Sequence, residues 1–345
     1  VCFPLEIQFT DLSEPNGNYA ISSWIWTFSD GQTSAVQYPN VDFGMPGTFS
    51  AELLISNGPG CKSTFIDGDA VVHPLPIADF PTGLAACLED TIFFTEASNI
   101  TPVTDDLITN WDWNFDDGSS SVLVEPNHLY TNHNLYDVQL TVTTNHSCTD
   151  EMTNVVEIYP LPNVNFIADP IAGCAPLAVQ FFDQTTIPAP YTLTTWDWDL
   201  GIDSTISHAT SPFQVYNPEI DPMDIAQFDI HLTVTSLNGC VSEITKPNYI
   251  SVYPKPDALF SVEPSVQNII KPYFQFTDLS SENVTNWNWS FGDASYDNDQ
   301  HPTHTYHSIG TFPVGLIVET QYGCLDTFGL QVKVEPVFTF YVPNS

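Results

Sequence analysis

The side chains best suited to chemistry in this chain are seven cysteines. They form two groups by position: Cys2, Cys87 and Cys174 each precede an alternating hydrophobic stretch, and Cys61, Cys148, Cys240 and Cys324 each lie in a short polar turn. Cysteines at recurring positions predict a disulfide framework, with free thiols as the alternative. Disulfides persist in oxidising compartments, so an extracellular or cell-surface location is expected.

Carboxylates are the second set of reactive groups. The chain has 42 Asp and Glu residues against 5 Lys and Arg residues, and its formal net charge is −37. Binding to nucleic acids or anionic membranes depends on Lys and Arg, so both kinds of partner are excluded. No run of 18 apolar residues occurs, which argues against membrane insertion. The acidity indicates either a solvated extracellular surface or a reservoir for divalent cations.

Acids recur in pairs at three places along the chain, and the two members of each pair could meet at one end of a folded repeat. The candidate pairs are Asp11 with Asp30, Glu96 with Asp116 or Asp117, and Asp278 with Asp293. Clustered carboxylates suit Ca²⁺, which binds six to eight oxygens. The alternative interpretation is that each acid accepts hydrogen bonds from the backbone of its own turn.

Catalytic motifs are missing from the sequence. We find no Gly-x-Ser-x-Gly, no His-Glu-x-x-His and no glycine-rich phosphate loop. The chain is therefore expected not to be an enzyme and to need no cofactor, unless it binds Ca²⁺. It could still be the accessory part of a larger secreted hydrolase.

The elements that must position these groups are four short segments that contain all eight tryptophans. The tryptophans are Trp24 and Trp26, Trp111 and Trp113, Trp196 and Trp198, and Trp287 and Trp289. In a β-strand, residues i and i+2 share one face, so each pair is predicted to point into a hydrophobic core. The first tryptophans of successive pairs lie 87, 85 and 91 residues apart, which indicates a tandem array.

Each repeat can be divided into about seven short alternating strands and ends in a proline pair, except at the C-terminus. This pattern is typical of β-sandwiches joined by stiff linkers. We predict domains at residues 1–76, which lacks the first strand, 77–160, 161–254 and 255–335, with residues 336–345 beginning a following domain.

The fourth repeat carries a familiar set of motifs: Trp289-Ser290-Phe291-Gly292-Asp293, His301-Pro302-Thr303-His304-Thr305-Tyr306 and Gly310-Thr311-Phe312. The repeats resemble PKD (polycystic kidney disease) domains. The resemblance implies four tandem immunoglobulin-like sandwiches that are extracellular and non-catalytic. The tail from Phe338 to Ser345 also resembles the start of the C-terminal sorting domain of Bacteroidota surface proteins, which implies gliding motility and type IX secretion.

Two disulfide schemes are compatible with this fold. Pairing within repeats would join Cys2 to Cys61, Cys87 to Cys148 and Cys174 to Cys240, leaving Cys324 alone. Pairing between successive repeats would join Cys2 to Cys148, Cys87 to Cys240 and Cys174 to Cys324, leaving Cys61 for a repeat upstream. In an immunoglobulin-like fold the two positions lie at opposite ends of strands about 26 Å long, whereas bridged Cα atoms lie about 4.4–6.8 Å apart. This favours the second scheme, and the first stays open.

We therefore expect a rod of four sandwiches that serves as a stalk, adhesin shaft or filament of a secreted bacterial surface protein. Its partners would be neighbouring domains of the same longer chain, other copies in a fibre, and an extracellular glycan or surface. The alternative is an array of accessory modules that bind Ca²⁺ or polysaccharide.

Overall fold

The computed structural model describes residues 1–338 of the 345-residue chain, apart from Leu5, Asn16, Asp67, residues 203–205, Ile220 and Pro222. These residues form strands and turns, so the chain is all-β. Across the described part of the chain there is no helix long and apolar enough to span a membrane. The chain divides into two compact units, Val1–Pro160 and Leu161–Ser345, and each contains two repeats.

The first repeat is built on one four-stranded sheet, in the order β3-β2-β6-β7, with the two pairs β1-β4 and β5-β8. These strands enclose a core that includes Trp26, Phe28 and Leu53. The strands are β1 (Ile7–Gln8), β2 (Ile21–Phe28), β3 (Thr33–Ser34), β4 (Asn40–Val41), β5 (Gly47–Phe49), β6 (Ala51–Asn57), β7 (Lys62–Ile66) and β8 (Ala70–Val72).

The second repeat continues with β9 (Ala85–Cys87), β10 (Thr91–Phe93), β11 (Ile108–Asn114), β12 (Ser120–Ser121), β13 (Asn127–Leu129), β14 (Asn134–Thr144) and β15 (Thr149–Tyr159). A five-stranded sheet in the order β12-β11-β14-β15-β9 is accompanied by the pair β10-β13. Their inward faces share a core around Trp113, which is 0% exposed.

The third repeat is made of a three-stranded sheet, β16-β18-β21, and a five-stranded sheet, β17-β23-β22-β19-β20. Trp198, which is also 0% exposed, lies in its core. The strands are β16 (Phe166–Asp169), β17 (Ala172–Cys174), β18 (Leu177–Asp183), β19 (Leu193–Asp199), β20 (Ile206–Ser207), β21 (Phe213–Tyr216), β22 (Ala226–Ser236) and β23 (Val241–Tyr253).

The fourth repeat repeats this plan around Trp289, with the sheets β24-β26-β29 and β25-β31-β30-β27-β28. Its strands are β24 (Phe260–Glu263), β25 (Val266–Asn268), β26 (Tyr273–Asp278), β27 (Val284–Ser290), β28 (Tyr296–Asp297), β29 (Thr303–Thr305), β30 (Gly310–Thr320) and β31 (Leu325–Glu335). Four sandwich-like repeats, each with its own core, therefore make up the described chain.

The two tryptophans of each pair have different surroundings. The second of each pair, Trp26, Trp113, Trp198 or Trp289, is at most 5% exposed and lies inside the core. The first of each pair, Trp24, Trp111, Trp196 or Trp287, is half-buried and packs against the edge of the same core. Alternation along the strand accounts for their common face.

Two expectations differ from the structure or fall outside it. The alternating residues 78–80, which we expect to open the second repeat as a strand, form no strand, and the backbone N–H groups of Ala78 and Asp79 donate to the side chains of Asp150 and Ser98. Of the predicted start of a following domain at 336–345, residues 339–345 lie outside the described residues.

Candidate functional site

The residues that connect one repeat to the next meet at two places, one in each unit. We define the first junction as Cys2, His73, Asp106, His146 and Cys148. The second junction consists of Cys174, Tyr253, Tyr322 and Cys324, with the neighbouring pair Lys255 and Asp326.

Strand pairing places the first cysteine of each junction beside a ring from the same repeat. Cys2 forms an isolated parallel bridge with His73, and Cys174 pairs with Tyr253 where β17 runs parallel to β23. At the first junction, His73 N donates to Val1 O at 2.7 Å, and Phe3 N donates to His73 O at 2.9 Å. Cysteine and ring therefore lie side by side where the chain leaves the repeat.

The second cysteine of each junction lies in a turn that a buried hydroxyl closes. Thr144 Oγ1 accepts hydrogen bonds from Cys148 N at 3.1 Å and from His146 N at 3.3 Å. Thr320 Oγ1 does the same for Cys324 N at 3.2 Å and Tyr322 N at 3.3 Å. The turn thus presents a cysteine together with the ring two residues before it.

At each junction a disulfide joins the first cysteine, in one repeat, to the turn cysteine of the next repeat. Cys2 is bonded to Cys148 with a Cα–Cα distance of 5.5 Å, and Cys174 is bonded to Cys324 with 5.6 Å. Both bonds connect one repeat to the next, and both belong to the between-repeat scheme. The within-repeat scheme, which would join Cys2 to Cys61 and Cys174 to Cys240, is wrong for these cysteines because the two positions lie at opposite ends of a repeat.

The first junction also brings together three ionisable side chains. The rings of His73 and His146 stack with centroids 3.7 Å apart and planes inclined by 12°. His73 Nδ1 lies 2.7 Å from Asp106 Oδ1, and His146 Nε2 lies 3.9 Å from the same oxygen. His146 Nε2 also lies 3.0 Å from Asp105 Oδ1, on a carboxylate that is 79% exposed.

Asp106 is buried, with 1% of its surface exposed. Burial works to raise the pKa of Asp106, but hydrogen bonds from the backbone N–H groups of Thr104 and Val103 and from His73 outweigh it, and the pKa is lowered. The two backbone bonds go to Oδ2, at 3.1 and 2.9 Å. Asp106 is therefore an ionised carboxylate whose Oδ1 faces the two histidines.

The second junction has aromatic rings at the positions of the histidines. Tyr253 and Tyr322 stack with centroids 4.4 Å apart and planes inclined by 9°. In addition, Lys255 Nζ lies 2.8 Å from Asp326 Oδ1, and Asp326 Oδ2 accepts a hydrogen bond from Ala258 N at 2.8 Å. This junction therefore combines a disulfide, a ring stack and an ion pair that holds the linker against the fourth repeat.

The acids that the sequence suggested as Ca²⁺ ligands accept hydrogen bonds from protein donors. Asp11 Oδ2 accepts from Trp24 Nε1 at 2.6 Å, and Asp278 Oδ2 accepts from Trp287 Nε1 at 2.8 Å. Burial of these two aspartates is outweighed by their hydrogen-bond donors, which lower the pKa of each. In the second repeat, Glu96 accepts from Ser98 N, and Trp111 Nε1 is buried with no hydrogen-bond partner in the described structure.

The acids of the turn after each tryptophan strand accept bonds within that turn. Asp30 accepts from Gln32 N at 3.0 Å. Asp117 and Asp293 accept from a serine N–H and also lie 2.7 and 2.8 Å from His128 and His304. These contacts agree with the turn-closing interpretation. Calcium at the acid pairs stays a prediction, and the only group of three or more candidate metal ligands among the described residues is His73, Asp106 and His146.

The other three cysteines differ in state. Cys87 and Cys240 are each disulfide-bonded, and they belong to different units, so their pairing with each other stays a prediction. Cys61 is a free, exposed cysteine. Its backbone N–H donates to Asn57 Oδ1 at 3.0 Å, so its turn is closed in the same way as those of Cys148 and Cys324.

Sequence reasoning missed the ring and hydroxyl positions, although the sequence contains a signal for both. A hydrogen-bonding residue stands four positions before every late cysteine: Asn57, Thr144, Ser236 and Thr320. A ring stands two positions before Cys148 and Cys324, and His73 and Tyr253 directly precede the proline pairs. Asp106 has no comparable signal, because its role depends on contacts with residues far away in sequence.

Comparison with known proteins identifies related domains. A family model described as "PKD domain" matches residues 1–72, 74–159 and 253–334. Among solved structures, the PKD1 domain of the Vibrio cholerae metalloprotease PrtV is 26% identical, with 24% of this chain and 98% of that chain covered and a TM-score of 0.22. The PKD1 domain of Vibrio anguillarum Epp is 21% identical, with 24% and 96% covered and a TM-score of 0.22. Extracellular domains 3–5 of Drosophila OTK are 9% identical, with 75% and 97% covered and a TM-score of 0.31.

Proposed function

Because the chain belongs to the PKD domain family, we propose that it is a stiff, disulfide-linked segment of a secreted surface protein, where it acts as a stalk, adhesin shaft or filament. PKD domains are typically non-catalytic modules of extracellular proteins, and this chain is an array of them. The disulfides Cys2–Cys148 and Cys174–Cys324 agree with an extracellular location, since such bonds persist in oxidising compartments.

The observation that carries the proposal is the double attachment at each junction. A disulfide and a stacked ring pair act side by side, because strand pairing sets the first cysteine beside one ring and the turn sets the second cysteine beside the other. Two attachments at separate points oppose rotation of one repeat against the next, which a single bond would permit.

The linkers add a third restraint. Each linker contains two prolines, Pro74 and Pro76 in the first unit and Pro254 and Pro256 in the second. The proline ring fixes the backbone angle φ, so the backbone of such a linker has little freedom to bend. Pulling force would then pass along the array through covalent bonds at every junction.

The proposal extends to partners and export. Cys61 is exposed in the same kind of turn that holds Cys148 and Cys324, and we propose that it bonds to a preceding repeat or to another copy in a fibre. The resemblance of the tail at 338–345 to a sorting domain supports type IX secretion of a Bacteroidota protein. Sequencing the flanking regions of the gene tests whether a preceding repeat and the rest of a sorting domain are encoded there.

Small-angle X-ray scattering of the full chain tests the stiffness. We expect an elongated particle whose flexibility rises when the disulfides are reduced, while the far-ultraviolet circular dichroism of the strands is retained. A compact globule in the oxidised state would contradict the proposal.

The matched variants are Cys148→Ser with Cys2→Ser, which removes one described disulfide, and Cys61→Ser, which removes a free thiol. The first should raise the flexibility of the chain, and the second should not, since Cys61 forms no disulfide within the described part of the chain. Equal curves for both variants would show that the disulfide does not stiffen the array.

A further inference from the structure

We infer that the first junction binds one divalent transition-metal ion of the Zn²⁺ type through His73 Nδ1, Asp106 Oδ1 and His146 Nε2. Each of the three residues offers a ligand atom that lies within 4.8 Å of those of the other two. The inference does not depend on the proposed mechanical function, since it concerns the chemistry of the three side chains.

The distances are close to those that a tetrahedral ion needs. Asp106 Oδ1 lies 2.7 Å from His73 Nδ1 and 3.9 Å from His146 Nε2. Zinc bonds of about 2.0–2.1 Å place neighbouring ligand atoms roughly 3.3 Å apart in a tetrahedron. One distance must therefore lengthen, and the other shorten, by about half an ångström. Because imidazole lone pairs lie in the ring plane and the two rings stack with planes inclined by only 12°, one imidazole must also turn out of the stack to direct its nitrogen at the ion.

The carboxylate is already held in the orientation that a ligand requires. Its Oδ2 accepts from Val103 N and Thr104 N, which leaves Oδ1 directed at the imidazoles. Such outer hydrogen bonds orient metal ligands and strengthen binding. His73 is anchored by its bridge to Cys2, and His146 is anchored by Thr144 and the disulfide turn.

The ligand types select the class of ion. Two imidazoles and one carboxylate suit Zn²⁺, Cu²⁺ or Ni²⁺, whereas Ca²⁺ and Mg²⁺ prefer oxygen ligands alone. His73 would bind through Nδ1 in the tautomer that carries its proton on Nε2. Asp105, whose Oδ1 lies 3.0 Å from His146 Nε2 and whose side chain is 79% exposed, is available as a fourth ligand in place of water.

The ion would connect the two repeats a second time, because His73 belongs to the first repeat and Asp106 and His146 belong to the second. The site would be specific to this junction. At the second junction the corresponding rings are those of Tyr253 and Tyr322, which stack without a carboxylate among the described contacts of the pair.

Isothermal titration calorimetry of the full chain with ZnCl₂, in a Cys61→Ser background and with excess CaCl₂ to occupy the surface carboxylates, tests the inference. We expect one tightly bound Zn²⁺ per chain. Loss of an outer-shell partner usually weakens metal binding 10–100-fold, so loss of a direct ligand in His146→Gln or Asp106→Asn should weaken it at least about 100-fold. At free Zn²⁺ 100 times the Kd, the equilibrium constant for unfolding the site should fall roughly 100-fold.

The matched control is His208→Gln, which removes an exposed histidine paired with Asp197 in the other unit and should leave the titration unchanged. Non-reducing peptide mapping of Cys2–Cys148 checks that each variant is folded. X-ray absorption of the wild-type zinc complex should show two imidazole ligands, and this measurement needs no variant. Absence of binding, binding that survives His146→Gln, or a spectrum with oxygen ligands alone would overturn the inference.

Discussion

The first and second junctions share a backbone plan and differ in the side chains placed on it. In both, a disulfide spans the repeats with nearly equal Cα–Cα distances of 5.5 and 5.6 Å, and a ring from each repeat stacks beside it. The rings are imidazoles with a buried carboxylate in the first junction, and phenols in the second. Strand pairing and the hydroxyl-closed turn therefore determine where the rings lie, whereas residue type determines what they can do there.

The linkers differ in a related way. Asp150 and Asp326 occupy the same position, two residues after the late cysteine, and each accepts a hydrogen bond from the start of its own repeat, at Ala78 N and Ala258 N. Only Asp326 also has a lysine partner, because Leu75 stands where Lys255 stands in the second linker. The second junction thus has an ion pair at the surface, and the first has its charge buried beneath the rings.

The largest effect is expected from removing the disulfides, and it should be equal at the two junctions. The bonds close loops with sequence separations of 146 and 150 residues. The loop-entropy model gives about 5 kcal/mol for each. Urea denaturation of Cys2→Ser/Cys148→Ser and of Cys174→Ser/Cys324→Ser should show matching losses, with Cys61→Ser as the unaffected control. Clearly unequal losses would mean that the common backbone arrangement of the two junctions does not determine how much each disulfide stabilises the chain.

The next largest effect is a difference in stability cost between two carboxylates, Asp106 and Glu282, that occupy corresponding positions. Asp106 and Glu282 both stand two residues before a strand residue, Ile108 or Val284, that pairs with a turn threonine. Asp106→Ala should cost about 1–3 kcal/mol, because the backbone N–H groups of Val103 and Thr104 lose a buried, charged acceptor. Glu282→Ala, at an exposed position, should change the free energy of unfolding by less than about 0.5 kcal/mol. Denaturant titration in the presence of a chelator measures both free energies of unfolding. If Asp106→Ala loses no more stability than Glu282→Ala, the two carboxylates do not differ in their structural role.

A smaller effect is expected from the tyrosine stack. Replacing Tyr322 with Ala should cost about 0.5–1.5 kcal/mol beyond the lost apolar area, whereas Tyr322→Phe should keep most of that energy because the ring remains. A double-mutant cycle with Tyr253→Ala isolates the interaction of the two rings. If the cycle gives no coupling energy, the disulfide alone holds the second junction.

The smallest effect concerns pH and the ion pair of the second linker. Burial of Asp326 is outweighed by its bonds from Ala258 and Lys255, so its pKa is lowered, and the hydrogen bond to Asp326 raises the pKa of Lys255. The contribution of Asp326 is present above its unfolded pKa of about 3.9 and is lost as the pH falls through the lower folded value. That of Lys255 is present below about 10.4 and is lost as the pH rises through the higher folded value.

The pair should therefore stabilise the second unit between about pH 4 and pH 10. Because Lys255 is 51% exposed, the contribution is about 0.2–1 kcal/mol. Stability curves of wild type and Lys255→Leu, which copies the first linker, should differ within this range and converge at both extremes. Curves that stay parallel across the whole pH range would exclude the ion pair as the cause.

Sequence periodicity was sufficient to predict the all-β class and the array of repeats. A strand turns alternate residues to one face, so Trp111 and Trp113 or Trp287 and Trp289 identify an inward face without knowledge of any distant contact. The spacing of these pairs, the late cysteine turns and the proline linkers then divide the chain into repeats that each have a core. Local periodicity carries this information, which is why it could be predicted.

Which side chains meet, in contrast, depends on contacts between residues that are far apart in the sequence. The sequence left two disulfide schemes open and did not identify the partners of its acids: Asp278 accepts a hydrogen bond from the indole of Trp287, and Asp293 lies beside His304. His73, Asp106 and His146 are brought together from separate strands and loops across a junction, by a parallel bridge and a disulfide turn. Such contacts depend on which strand ends lie side by side and on the packing of one repeat against the next. Neither produces a periodic pattern in the sequence.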